Sequence, residues 1–119
     1  MAQWYLVKLE LAPTEDFPNG SPARAFLLRL PIKIDGSIDE NERSAHPGAA
    51  FARRFWQNEP DGTGVIRLNS AGWFIAFPDD GMEFRYHLDN LKIRLGETVA
   101  LTTPEGKNLP FRVVSLRAD

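Results

Sequence analysis

Along this chain apolar residues recur at every second position in short runs. Almost nowhere do they show the three-to-four spacing of an amphipathic helix. Residues 72–78 are apolar on both faces, with Trp73, Ile75 and Phe77 on one and Phe74 and Ala76 on the other. A strand of that kind needs cover on both sides. Turn formers bracket it, Ser70-Ala71-Gly72 before and Pro78-Asp79-Asp80-Gly81 after, so it is expected to be an interior strand of an antiparallel meander.

The other runs are read against it. Residues 3–11 alternate Tyr5, Val7, Leu9 and Leu11 with Trp4, Leu6, Lys8 and Glu10, and a proline- and glycine-rich loop follows over 12–23. Residues 25–34 put Phe26, Leu28, Leu30, Ile32 and Ile34 opposite Arg29 and Lys33. Pro31 lacks an N–H, which asks for an edge position or a bulge. Residues 35–48 read as an irregular connection with room for one helical turn. In 49–56 the spacing of Phe51 and Phe55 and the alanines favour a short helix, although the alternation of Phe51, Arg53 and Phe55 also permits a strand. Residues 64–69 and 72–77 form a hairpin. Residues 82–89 alternate most cleanly, Met82, Phe84, Tyr86 and Leu88 against Glu83, Arg85, His87 and Asp89. Leu91, Ile93 and Leu95 carry the pattern to Gly96, and a last hairpin pairs 97–103 with 109–116. The fold expected is all-β: one domain over residues 1–119, a small antiparallel β-barrel of about six to eight strands, with one short helix near 49–56.

Composition narrows the chemistry. The 119 residues contain no cysteine, which removes disulfides, thiolate metal sites and cysteine nucleophiles. The N-terminal residues lack the pattern of a secretory leader, and no apolar run approaches the length of a membrane span. A cytoplasmic protein without membrane contact is therefore expected. A net charge of −2 gives no global pull towards nucleic acid. Of the 14 basic residues, however, 10 are arginine, which prefers planar and stacked partners.

Spacing excludes most of the candidate motifs. Gly62-Thr63-Gly64 begins like a dinucleotide fingerprint but continues to Arg67 and into a strand. Gly106-Lys107 lacks the upstream glycine of a Walker loop. Asp35, Ser37 and Asp39 have calcium-loop spacing, yet Glu40 and His46 occupy the positions of the turn glycine and the bidentate acid. His46 and His87 are too isolated to form a metal site, and Ser70 lacks the preceding glycine of a nucleophile elbow. No metal and no cofactor are expected. His87 and Asp89 share a strand face, so the acid could orient the imidazole for proton transfer.

The remaining signal is density: 8 of the 13 aromatic residues fall in 51–86, with Arg53, Arg54, Arg67 and Arg85 among them. Aromatic rings beside guanidinium groups serve protein interfaces and single-stranded nucleic acid alike. Because Trp73 and Phe74 are adjacent on a strand, one ring must face away from the core.

Three segments carry a family likeness: Gly64-Val65-Ile66-Arg67-Leu68, Leu95-Gly96-Glu97-Thr98-Val99-Ala100-Leu101 and Pro110-Phe111-Arg112-Val113-Val114. Over these the chain resembles the small β-barrel domains of translation elongation factors. The resemblance implies a six-stranded closed barrel that contacts RNA or partner proteins, without a GTPase domain, and it transfers no functional residue. The His46-Pro47 and Arg53-Arg54-Phe55-Trp56 stretches with the Gly72-Trp73 strand are similar to small bacterial proteins, which implies no activity.

No motif states a function. The expectation is a non-catalytic binding module using Arg53, Arg54, Trp56 and whichever of Trp73 or Phe74 faces outward. A protein partner or self-association is favoured over nucleic acid. The alternative is a small-ligand binder or enzyme with His87 and Asp89 at the barrel mouth.

Overall fold

The computed structural model describes residues 3–89 and 92–119, and in it the alternating runs become strands. These are β1 (Gln3–Leu11), β2 (Ser21–Ile32), β3 (Phe51–Trp56), β4 (Gly62–Asn69), β5 (Gly72–Asp79), β6 (Met82–Asp89), β7 (Thr98–Thr102) and β8 (Asn108–Ala118). Each pairs antiparallel with its neighbours in sequence, and β1 returns to β8 with Leu9 opposite Val113, which closes the barrel. Closure gives the long strands a partner on each side, the all-β solution to exposed edges.

Period-two alternation decides what fills the barrel. Val7, Leu9, Phe26, Leu28, Leu30, Ile75, Leu101 and Phe111 point inward and are almost wholly buried. The doubly apolar run is β5, held between β4 and β6 as expected. Its inward residues are Ile75 and Phe77; Phe74 and Ala76 face outward and are buried all the same.

The helix expected near 49–56 is absent. Those residues form β3, with Leu28 opposite Ala52 on one side and Gly64 on the other. The alanines are there because Ala50 and Ala52 are packed into the core, not for helix propensity. A helix that short gains little without tertiary support, and the ladder prevails. Among the described residues the one short helix is α1 (Glu40–Ala45), within the connection between β2 and β3 where room for a helical turn is expected. Asp39 caps it by accepting the Glu42 N–H at 3.1 Å, and acidic residues fill its first turn.

Pro31 resolves as an edge within a closed barrel. Opposite β1 the ladder runs on to Ile32, but β3 pairs only as far as Arg29. Past that point the Pro31 carbonyl accepts the Asp39 N–H at 2.9 Å, and no partner needs the missing donor. Strand β2 starts at Ser21, inside the expected loop, because the register slips beside Glu10 and places Leu11 opposite Ser21. It stops before Ile34, which lies exposed in a tight turn closed by Gly36 and Lys33. Beyond β6 the expected alternation does not continue as a strand. Ile93 is buried and donates to the Gly36 carbonyl at 2.8 Å, and Leu95 is exposed; Leu91 lies outside the described residues.

Candidate functional site

The loops 12–20, 57–61, 80–81 and 103–107 gather at one end of the barrel. The connection carrying α1, the 70–71 turn, the start of β1 and the end of β8 lie at the other. The site is built at the first of these ends, from inward-pointing residues that the strands deliver above the core.

Alternation in β3 places Ala52, Arg54 and Trp56 on the barrel side. The Arg54 guanidinium therefore enters the mouth, where an unpaired charge would be costly. Its Nη1 donates to the Tyr86 hydroxyl at 3.0 Å and its Nη2 to the Glu59 carboxylate at 3.3 Å. Tyr86 rests edge-on against Phe26 (5.4 Å) and Phe77 (5.6 Å), and Phe26 in turn meets Trp56 and Phe111 edge-to-face. Edge-to-face geometry is the favoured packing of such rings, and it fixes the floor of the mouth.

Phe77 owes its place to glycine. A Cβ at Gly64 would fall 2.9 Å from its ring, and one at Gly62 would just touch it. The Gly62-Thr63-Gly64 sequence is thus a bare strip over which a ring lies, not a phosphate cradle. Above this floor opens a cavity of about 410 Å³, lined by Arg54, Glu59, Phe77, Phe84, Tyr86 and Pro104. Its volume falls in the range of small-ligand pockets. At its lip Phe84 is 43% exposed, and Met82, two positions before it on β6, is 69% exposed. The same end holds a second hollow of about 570 Å³, where Arg24 lies 4.2 Å over the Phe17 ring and 5.7 Å from that of Trp56.

The residues expected to form one binding face are split. Arg54 and Trp56 meet in the mouth. Arg53 points outward and lies over Phe55 at 5.1 Å. Trp73 faces inward at the far end of the barrel, half-buried, with Arg43 of α1 5.5 Å from its ring. Phe74 is the outward ring, yet only 3% of it is exposed. Arg85 (4.6 Å) and Arg67 (5.7 Å) lie over it, and Glu83 binds both guanidinium groups. Charged side chains supply the second layer that its apolar surface needs. The Arg85 hydrogen bond, aided by the charge of Arg67, holds the Glu83 carboxyl below its ordinary range.

His87 and Asp89 also lie on the outer wall, away from the mouth. His87 packs beside Phe74 at 6.0 Å. Asp89 accepts from Thr102 Oγ1 at 2.9 Å and Asn108 Nδ2 at 3.3 Å, and among the described residues no hydrogen bond joins it to His87. No cluster of three metal-ligating residues occurs among the described residues. In the 35–39 turn Asp35 accepts from Ser37, which lowers its carboxyl.

Tyr86, Phe77 and Phe84 belong to the aromatic density of 51–86 but not to the face expected to bind. Their signal was the shared inward parity of β5 and β6 opposite Arg54. Comparison with family models, curated proteins and solved structures gives no match. Among the described residues no helix is long and apolar enough to cross a membrane.

Proposed function

We propose that the protein is a non-catalytic binding module that takes an apolar group of a protein partner into the aromatic mouth beside Arg54. The observation that carries this reading is the inward guanidinium of Arg54, held by Tyr86 over a floor of rings and under an exposed apolar lip. Arginine and aromatic residues in a shared concave site are the usual anchors of protein recognition. Rings supply contact area at little entropic cost, and the guanidinium keeps unused N–H donors for a carbonyl of the partner. The mouth pairs its one guanidinium with Glu59 and also carries Glu105. A polyanion is therefore a poor fit, and the proposal keeps the preference for protein over nucleic acid, together with a cytoplasmic setting.

The test is a titration with N-acetyl-phenylalanine amide followed by amide and side-chain NMR. Shifts are expected at Tyr86, Phe77 and the Arg54 Nε–H, and Arg54→Ala or Phe84→Ala should weaken binding about tenfold, the loss of one anchor. Shifts centred on Phe74 or Arg53 would move the site to the outer wall and end this reading.

A further inference from the structure

Strand β6 has a free edge. Among the described residues it pairs with β7 only through His87, Leu88 and Asp89, because β7 ends at Thr102 and the chain turns back to β8. On its other side β6 pairs with β5 as far as Met82, while β5 pairs with β4 only up to Ala76. The β5–β6 hairpin therefore stands clear of the barrel on both sides.

Its two edges differ. Pro78 has no N–H, which blunts the β5 edge. The same proline fixes the hydrogen-bond phase. Pro78 faces Glu83, and that pair cannot exchange two N–H···O bonds. Phe84 is then bonded to Phe77, and the backbone N–H and C=O groups of Glu83 and Arg85 point away from β5. No other backbone partner meets them among the described residues.

We propose that two copies of this chain associate through this edge, β6 antiparallel to β6 and centred on Phe84. Phase and charge both select that register. Outward-pointing residues must oppose outward-pointing residues, so 83 and 85 face one another across the two-fold. Centring on Glu83 would oppose two carboxylates, and centring on Arg85 two guanidinium groups. Only the register centred on Phe84 sets Glu83 against Arg85 of the second copy, twice by symmetry, in pairs that exchange backbone hydrogen bonds. Opposite charges directly across strands stabilise a sheet, and like charges disrupt it. Charges on an edge strand usually guard it; here they alternate in sign and are self-complementary. On the inner side the register places Phe84 against Phe84 and the exposed Met82 against Tyr86, which covers apolar surface now open to water. The two mouths then adjoin across one continuous sheet. This assembly covers Phe84 and Met82, so it competes with a partner group at the mouth, and its test by mass and amide exchange needs no ligand.

Sedimentation over about 10 µM to 1 mM tests it, since an interface this small is weak. The mass is expected to rise from 13.4 kDa towards twice that value. Amide exchange at Glu83 and Arg85 should slow as concentration rises, while that of Phe84 stays constant. Glu83→Arg and Arg85→Glu should each remain monomeric, and an equimolar mixture of the two should regain the dimer. Restoration on mixing also shows that both variants fold; if either does not, wild-type exchange decides. A wild-type mass fixed at 13.4 kDa up to the highest concentration, concentration-independent exchange at Glu83 and Arg85, or single variants that dimerise as wild type does would each overturn the proposal.

Discussion

A Cβ built at Gly64 would lie 2.5 Å from the Ala76 carbonyl oxygen and 2.9 Å from the Phe77 ring. Neither neighbour can yield easily: the first is ladder backbone, the second a wall of the mouth. Gly64→Ala is expected to cost about 1–3 kcal/mol, as overpacking does, and to disturb the Phe77 ring. At Gly62 the nearest atom is 3.4 Å away, an ordinary contact, so Gly62→Ala should shift stability by about 0.5 kcal/mol or less. Urea unfolding of the two variants separates them; equal losses would show that strand entropy, not the ring, sets the cost. The Arg54–Tyr86 bond makes a second prediction at this scale. Tyr86→Phe removes an acceptor from a half-buried cation and should cost about 1–2 kcal/mol. Combining it with Arg54→Met should recover part of that loss, because the stranded charge goes too.

Among the elements, α1 and β3 show which local signals carry weight. Asp39-Glu40-Asn41-Glu42 holds a capping residue with glutamate three positions on, and Asp39 does bond the Glu42 N–H. That cap fits the one helical turn expected within 35–48, whereas the alanines of 49–56 point to a further helix that does not form. They sit in 49–56 because the barrel interior needs small residues beside Gly64, a requirement only the register reveals. The strands with one wet face were easiest to read, since burial enforces alternation. The mouth was not legible for the same reason: Arg53 and Arg54 are neighbours in sequence but stand on opposite sides of the barrel wall. The helix has no buried residue and is tied to β1 by the Trp4 Nε1 bond to Glu42 at 3.1 Å. Asp39→Ala should therefore loosen α1 by about 1 kcal/mol in amide exchange and leave the barrel's unfolding midpoint nearly unchanged. A large fall in that midpoint would mean α1 helps to hold the barrel closed.

For the molecule as a whole, closure removes most edges, and charged side chains finish what the apolar strands leave uncovered. The outer wall over Phe74 is held by Glu83 with Arg67 and Arg85; Arg43 binds Glu40 beside Trp73 in the same manner. Hydrogen bonds from these arginines lower the carboxyls of Glu83 and Glu40, and those from Ser37 lower that of Asp35. A carboxyl lowered in the folded state binds protons less readily than in the unfolded chain. Its contribution to stability is therefore complete above the unfolded value, about 4 to 4.5 for these groups, and is lost as pH falls through the lowered folded values. Stability should be flat in this respect from pH 7 to about 5 and then decline, with a shallower decline in high salt, because these groups are open to solvent and screened. Glu83→Gln, which removes the carboxylate that pairs with Arg67 and Arg85, should reduce the acid slope. Urea midpoints measured from pH 7 to 3 decide the matter. If Glu83→Gln follows the wild-type slope, the guanidinium cover over Phe74 is held by packing on the ring and not by the carboxylate that bridges it.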